Sequence, residues 1–198
     1  MAAVLTERFY TALDYAARLH AEQTRKGSGV PYVSHLLAVA GLVLDHGGDE
    51  DEAIAALLHD AVEDQGGAAT AAEIRRRFGD RVADIVEGCS DTDVVPKPPW
   101  RARKEAYLAH LRAASPSVLL VSAADKLHNA RSMLHEYPST GEEVWSRFSG
   151  GREGTLWYFR EVTAALRAAG NNALVGDLER IVGELEAMVR GADAPEPS

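Results

Sequence analysis

The sequence predicts a single all-α domain, and three observations support this fold class. Ala and Leu dominate the 46% of hydrophobic residues, and aromatic residues make up only 7%, a balance that favours helices over strands. Apolar residues recur with a helical period in most segments, and start and stop signals between them delimit about eight to ten helices. The 198 residues suffice for a substantial core. We expect one domain over residues 1–190 and a disordered tail over 191–198.

Charge and composition exclude several function classes. The net charge of −9 argues against a duplex nucleic acid or membrane partner that uses the whole surface, but it allows a local basic pocket for a small anion. Glu7 and Asp14 interrupt the first apolar stretch, and no apolar run reaches membrane-spanning length. The lone Cys89 fits a reducing compartment and a small buried role. We expect a cytoplasmic protein with a small-molecule partner; a homodimer stays open.

The first two helices flank a loop that contains two cations. Apolar spacing predicts a helix from about Thr6 to Gln23. Arg25 and Lys26 then precede two glycines and a proline, a break where loop cations either hold phosphates or are simply solvated. Ser34 is predicted to cap the next helix, which extends to about His46. His35 falls in its first turn.

The third helix contains a His-Asp doublet followed by an acidic pair. Asp49 and Glu52 have capping-box spacing at its start, and Gln65-Gly66-Gly67 is predicted to end it. His59, Asp60, Glu63 and Asp64 can share one side of this helix, because residues three and four apart are neighbours. Taken alone, the doublet fits an exposed helix end. If these groups are buried together they need a partner, and a divalent metal is the simplest one.

The remaining elements follow from the same cap and turn signals. Thr70 and Glu73 are spaced like a capping box for a helix that ends at Phe78-Gly79. A short helix and a proline-containing loop follow, and another helix restarts at Trp100. The predicted ranges are 80–87 for the short helix, 88–100 for the loop, 138–154 for an irregular stretch, and 155–169 and 174–189 for two C-terminal helices.

A second strong signal lies in the helix that begins at Ser115-Pro116, a cap followed by a proline at the first helical position. Its first half is apolar nearly all round, which predicts a buried central helix. Asp125 therefore lies in the core and needs a cation, and Asn129 follows one turn later. Lys126 and Arg131 are either phosphate contacts or structural residues.

Polar residues at core-facing positions form one constellation. It comprises His35, His59, Asp60 and Asp125 from three helices, with Glu63, Asp64 and Asn129 one turn beyond them. A lone histidine in a core is usually just a hydrogen-bonded residue, but the joint pattern His, His-Asp, Asp is much more specific. The three tryptophans have a simpler interpretation as core or pocket wall: Trp100, Trp145 and Trp157.

The motifs around this constellation resemble the HD superfamily of metal-dependent phosphohydrolases, over roughly residues 7–135. Within it, they are most similar to the hydrolase domain of RelA/SpoT alarmone enzymes and to the small metazoan SpoT homologue. The matching stretches occur in the family's order: Arg25-Lys26-Gly27, Pro31-Tyr32-Val33-Ser34-His35, Leu57-Leu58-His59-Asp60-Ala61-Val62-Glu63-Asp64, Phe78-Gly79 and Ala124-Asp125-Lys126-Leu127-His128-Asn129-Ala130-Arg131.

The resemblance implies an enzyme and assigns roles by position. His35, His59, Asp60 and Asp125 would ligate one divalent ion, usually Mn²⁺, while Fe²⁺, Zn²⁺, Ni²⁺ or Co²⁺ also suit this donor set. The other implied roles are water activation for Glu63 and Asp64, and substrate binding for Arg25, Lys26 and Asn129.

The implied substrate is a nucleotide, with guanosine-3′,5′-bis(diphosphate) the first to test. The proline-rich link from Val94 to Trp100 and the C-terminal third depart from the alarmone pattern. Two alternatives therefore stay open. One is an HD hydrolase of another nucleotide or of a phosphomonoester, and the other is a non-catalytic module that binds metal or nucleotide.

Overall fold

The computed structural model describes residues 3–92, 96–170 and 173–192, and over these ranges it confirms the all-α class. The only β-type pairing among them is an isolated bridge between Thr24 and Pro31. The helices are α1 Glu7–Leu19, α2 Val33–Asp45, α3 Glu50–Leu58, α4 Ala61–Asp64, α5 Ala68–Phe78, α6 Asp80–Cys89, α7 Trp100–Leu111, α8 Pro116–Thr140, a 3₁₀ helix Gly141–Arg147, α9 Gly151–Ala169 and α10 Ala173–Ala192.

Helix α8 is the centre of the fold, as its apolar first half predicts. It packs against α2, α3, α6, α9 and α10. Val121, Ala123, Ala124 and Leu127 are completely shielded from solvent, so one continuous apolar cluster surrounds this helix. Burial of its apolar surface provides the main free energy that holds the bundle together. Asp125 is therefore fixed inside a rigid helix at the middle of the protein.

Two of the predicted caps are confirmed. The Glu52 backbone N–H donates to Asp49 Oδ1 at 3.0 Å, and the Asp49 N–H donates to Glu52 Oε2 at 2.8 Å, which completes a capping box on α3. The Val118 N–H donates to Ser115 Oγ at 3.3 Å at the start of α8. Each cap satisfies backbone donors that a helix N-terminus leaves without intrahelical partners.

The other two predicted caps are wrong. Helix α2 begins one residue before Ser34, with Tyr32 as its cap and no capping side-chain bond. Helix α5 begins at Ala68, because Gly67 with φ 61° ends the preceding turn early. Thr70 thus lies inside α5, where its hydroxyl donates to the Gln65 carbonyl at 2.5 Å.

Several boundaries also differ from the sequence prediction. The apolar helix that bears the doublet is not continuous, since α3 ends at Leu58 and α4 begins at Ala61. The predicted irregular stretch 138–154 is largely helical. Pro138 lies in the last turn of α8, where its missing N–H removes one i→i−4 backbone hydrogen bond shortly before the helix ends.

Parts of two predicted segments lie outside the described residues. These are 93–95 of the proline-containing loop and 193–198 of the tail, while α10 includes the tail's first two residues, Gly191 and Ala192. Among the described residues, none of the helices combines the length and apolar character that crossing a bilayer requires.

Candidate metal centre and active site

Four predicted ligands converge at one point, from α2, the α3–α4 junction and α8. His59 Nε2 lies 2.9 Å from Asp60 Oδ2 and 3.6 Å from Asp125 Oδ1. His35 Nε2 lies 3.5 Å and 3.2 Å from the same two oxygens, and the two Nε2 atoms are 3.3 Å apart. Ligands bound at about 2.0–2.2 Å to one ion are separated by roughly 3 Å when adjacent. The ligand atoms of His35, His59 and Asp125 all lie within 4.8 Å of one another, close enough to hold a single ion, and Asp60 lies beside the two histidines.

The break between α3 and α4 orients the second histidine. Ala56 lies in the last turn of α3, where carbonyl groups lack intrahelical partners. His59 Nδ1 donates to the Ala56 carbonyl at 2.8 Å, so in the neutral ring Nε2 carries the lone pair. That lone pair faces the carboxylates, which is the tautomer a metal ligand needs.

The side chains of the site are almost fully buried, and their charges stabilise positively charged groups. His35, His59 and Asp125 are 0%, 2% and 5% exposed. Burial opposes the charged forms, but the surrounding charges prevail. The pKa of Asp125 is held well below its usual range by Lys126, His35 and His59, and the carboxylates of Asp60 and Asp125 raise the pKa of His59. Two imidazoles and two carboxylates arranged in this way suit a divalent cation.

Tyr32 positions Asp60, a role that the sequence did not reveal. Its hydroxyl donates to Asp60 Oδ2 at 2.6 Å, to the same oxygen that faces His59. The Tyr32 ring stacks on His20, with centroids 5.3 Å apart. Burial and the negative charge of Asp60 raise the pKa of Tyr32, so the phenol remains a donor. Its place three residues before His35, within a matched motif, was the available signal.

The two residues of the acidic pair, Glu63 and Asp64, lie in different surroundings. Glu63 Oε1 lies 3.0 Å from Lys97 Nζ and 3.6 Å from Arg103 Nη1. Burial and the negative charge of Asp91 raise the pKa of Glu63, although Lys97 opposes them. Asp64 is exposed and accepts a hydrogen bond from Gln23 Nε2 at 2.8 Å. The raised pKa gives Glu63 a proton affinity that suits a general base.

The predicted substrate residues connect directly to the ligand cluster. Arg25 Nη2 donates to Asn129 Oδ1 at 2.8 Å, and Asn129 Nδ2 donates to Asp125 Oδ1 at 2.5 Å. Lys26 is exposed at the same pocket. Asn129 thus links the guanidinium of Arg25, a predicted substrate contact, to the carboxylate of Asp125, a predicted metal ligand, through two hydrogen bonds.

A pocket of about 400 Å³ opens over these residues, a size typical of small-ligand sites. Acidic residues, among them Asp60 and Asp125, form part of its wall, and cations from several separate elements contribute to the wall as well. Such a distribution suits a substrate with several phosphate groups. The lining cations are Arg25, Lys26, Arg103, Lys104, Lys126 and Arg147.

Comparison with known proteins places this arrangement in a family. The model of the HD domain family matches residues 12–156. This chain belongs to the HD domain family. The match extends past the residues that carried the motif resemblance, through the 3₁₀ helix and into the first turns of α9.

Several relatives of this HD domain are named for one hydrolase activity, and others are named GTP pyrophosphokinases. The chain is 36% identical over 176 residues to the guanosine-3′,5′-bis(diphosphate) 3′-pyrophosphohydrolase MESH1 of Xenopus tropicalis, covering 86% of this chain and 90% of the relative. The human MESH1 protein is 38% identical over 138 residues, covering 68% of this chain and 72% of its own length. By contrast, the chain spans only 18% of the Aquifex aeolicus enzyme of the same activity, at 37% identity.

A solved structure also shares this fold. It is described as a metazoan ortholog of SpoT that hydrolyzes ppGpp and plays a role in starvation responses. The two superpose with a TM-score of 0.75 at 28% identity, covering 92% of this chain and 98% of the other.

Residues with open interpretations also have clear places in the HD domain. Lys126 Nζ lies 2.5 Å from Asp125 Oδ2, at the pocket. Arg131 pairs with Asp177 at 3.2 Å and is not part of the pocket lining, which favours its structural interpretation. Burial raises the pKa of Cys89 to about 11, so its thiol is a poor nucleophile at neutral pH.

The tryptophans occupy core and wall positions. Trp145 is buried, Trp100 lines the pocket and Trp157 is half-buried. Their interpretation as core or pocket wall agrees with these positions. The Arg101 guanidinium also lies 3.3 Å from the centroid of the Trp157 ring.

Proposed function

We propose that this HD-domain protein is a metal-dependent phosphohydrolase that removes the 3′-pyrophosphate of guanosine-3′,5′-bis(diphosphate), with Mn²⁺ as its ion. The observation that supports it most is the convergence of His35, His59, Asp60 and Asp125 beside a cation-lined pocket. The relative in Xenopus tropicalis, similar over nearly its whole length, is named for this reaction.

In the proposed site, the four ligands hold the ion. When bound, a divalent ion lowers the pKa of a water molecule and neutralises charge on phosphate oxygens. In the reaction, the water oxygen forms a bond to the phosphorus attached to the 3′ oxygen, and the bond between that phosphorus and the 3′ oxygen breaks. The 3′ oxygen takes up a proton from solvent and becomes a hydroxyl group. The products are the nucleoside 5′-diphosphate and pyrophosphate.

Glu63 is the residue we assign as general base. Its carboxylate accepts the proton from the attacking water, and its raised pKa strengthens it for this task. The contact with Lys97 Nζ holds Glu63 Oε1 at 3.0 Å. Asp64, held by Gln23, orients the water from the other side of the pair.

The substrate is held by cations that flank the ligand cluster. Arg25 is fixed by Asn129, so its remaining guanidinium donors are pre-oriented toward the pocket, and such an arrangement favours bidentate phosphate contacts. Lys26 extends the same positive edge. We assign Asn129 to the substrate side of the centre, because its amide lies between Arg25 and Asp125.

A metal analysis coupled to a substrate panel tests the proposal. The purified protein, stripped and reloaded separately with Mn²⁺, Fe²⁺, Zn²⁺, Ni²⁺ or Co²⁺, is given guanosine-3′,5′-bis(diphosphate), NADPH and the (d)NTPs. We expect one ion per chain, the highest rate with Mn²⁺, and release of pyrophosphate from the first substrate. The Asp60→Ala protein, prepared in parallel, controls for contaminating phosphatases.

The same panel separates the second candidate, an HD hydrolase of another nucleotide or of a phosphomonoester. The observation that favours it is the position of Val144, Phe148 and Tyr158 in the pocket wall, beyond the stretch that carries the alarmone motifs. Turnover of another substrate without any of guanosine-3′,5′-bis(diphosphate) would select this candidate. Metal binding without turnover of anything in the panel would favour the non-catalytic module.

A further inference from the structure

The two histidines of the metal centre are oriented by different kinds of partner. Each must keep its proton on Nδ1 so that Nε2 has a free lone pair. The Nδ1 of His59 faces the Ala56 backbone carbonyl, which can only accept. The Nδ1 of His35 instead faces His128 Nδ1 at 2.8 Å, and the two ring centroids are 4.8 Å apart. In this second pairing, either ring can donate the hydrogen bond.

Two arrangements of the proton between these rings are available, and they have opposite consequences. If His128 donates, the neutral His35 must carry its proton on Nε2. That proton would point at His59 Nε2, 3.3 Å away, and would block the lone pair that an ion requires. If His35 donates, its Nε2 is free and lies 3.2 Å from Asp125 Oδ1. Only the second arrangement is compatible with a four-ligand centre.

We propose that His128 is a positioning residue, whose Nδ1 lone pair accepts the Nδ1–H of His35 and so holds His35 in its metal-binding tautomer. This inference rests on the proposed metal centre. Helix α8 supplies both the ligand Asp125 and this acceptor three residues later, on one helix face. Helix α8 therefore fixes the distance between the ligand Asp125 and His128, the residue that orients the ligand His35. Such outer partners typically change metal affinity by about 10–100-fold.

The matched variants are His128→Leu and His128→Asn. Leucine has a similar branched shape without an acceptor, whereas the Asn Oδ1 occupies a position close to that of the histidine Nδ1. We expect His128→Leu to weaken Mn²⁺ binding by about 10–100-fold, and His128→Asn to stay within a few-fold of wild type. His135→Leu, at an exposed position of the same helix, should leave the affinity unchanged.

The free Mn²⁺ signal in electron paramagnetic resonance measures these affinities directly. A purely structural role would weaken both His128 variants equally, which would overturn the inference, as would a His128→Leu protein that binds Mn²⁺ as tightly as wild type. Circular dichroism of the metal-free proteins identifies variants that fail to fold.

A measurement on wild-type protein needs no variant. At about pH 8, ¹⁵N shifts of the histidine rings in the Zn²⁺-loaded protein report which nitrogen carries the proton. We expect protons on Nδ1 of His35 and on Nε2 of His128. The reverse pattern overturns the inference even if the variants do not fold. Metal binding without turnover of any nucleotide would remove only the proposed function, whereas a wild-type protein that binds no divalent ion would remove both.

Discussion

The two ends of helix α3 carry similar residues in opposite surroundings. At the N-terminal end, Asp49 and Asp51 pair with Arg81, and Arg8 pairs with Glu50 and Asp51. The Arg8 and Arg81 side chains are nearly half exposed there. At the C-terminal end, the imidazole of His59 is only 2% exposed and faces two carboxylates.

Solvent exposure determines what each end can do. An exposed ion pair contributes about 0–1 kcal/mol to stability, because water competes with it. A buried carboxylate is costly unless a cation or several donors compensate for it. The N-terminal acids therefore mainly fasten α1 and α6 to α3, while the C-terminal groups belong to the proposed metal centre. Substitutions at the two ends should consequently affect different measurements.

Removal of a ligand at the C-terminal end has the largest expected effect. Asp60→Ala deletes the oxygen that faces both histidines and Tyr32. We expect loss of stoichiometric Mn²⁺ in a metal analysis and loss of hydrolysis down to background. Because Asp60 is partly exposed and the apolar core is untouched, circular dichroism should still show a folded protein. Retained activity in this variant would refute the ligand assignment.

Removal of the base has a smaller and more selective effect. Glu63→Ala should lower kcat by about 10²–10⁴-fold, the usual contribution of a positioned general base. Metal content should remain at the wild-type level, since Glu63 contacts Lys97 and Arg103 and none of the four ligands. Steady-state kinetics and metal analysis on one preparation measure both quantities. Simultaneous loss of metal and kcat would indicate that Glu63 is itself a ligand.

The charges around Glu63 predict opposite shifts of the pH profile. The raised pKa of Glu63 means that activity falls as pH drops through that value, because the protonated carboxyl cannot accept a proton. Lys97→Met removes a positive neighbour, which should raise this pKa and move the acidic limb of kcat/KM to higher pH. Asp91→Asn removes a negative neighbour and should move it to lower pH.

Each of these shifts should be about one pKa unit or less, equivalent to about 1.4 kcal/mol per unit. Asp91 is also paired with Arg103 at 2.6 Å and with Lys104 at 2.7 Å. The fold of Asp91→Asn must therefore be verified by circular dichroism. Shifts of the same sign in both variants would contradict the assignment of the limb to Glu63.

Changes at the N-terminal end should affect stability alone. Asp49→Ala removes the α3 cap and should cost about 1 kcal/mol, while Arg81→Met should cost less than about 1 kcal/mol. Urea unfolding of the metal-free proteins measures both costs. Mn²⁺ affinity and kcat should equal the wild-type values. A change in metal affinity would show that the two ends of α3 are coupled.

The sequence predicted most of the fold because local signals determine most of it. The Asp49–Glu52 box and the Ser115 cap depend on residues three apart, so spacing alone reveals them. The sequence gives no signal for the break at His59–Asp60, because buried apolar residues continue on both sides of it, through Ala61 and Val62. Apolar periodicity reports which residues face the core and does not report a change of helix axis.

The proposed ligands could be gathered from the sequence, but the groups that orient them could not. The four proposed ligands are chemically distinctive residues within matched motifs. Their partners depend on pairs distant in the chain, such as Tyr32 with Asp60 and Glu63 with Lys97. These contacts arise from helix packing, and only the folded chain shows which pair forms.

The orienting bond of His59 also bears on mutational robustness. A backbone carbonyl is present whatever side chain follows it, so no substitution of Ala56 that preserves the turn can delete the acceptor for His59 Nδ1. The acceptor opposite His35 is instead the side chain of His128, which a single substitution can remove. Random substitution should therefore damage the His35 half of the centre more often than the His59 half.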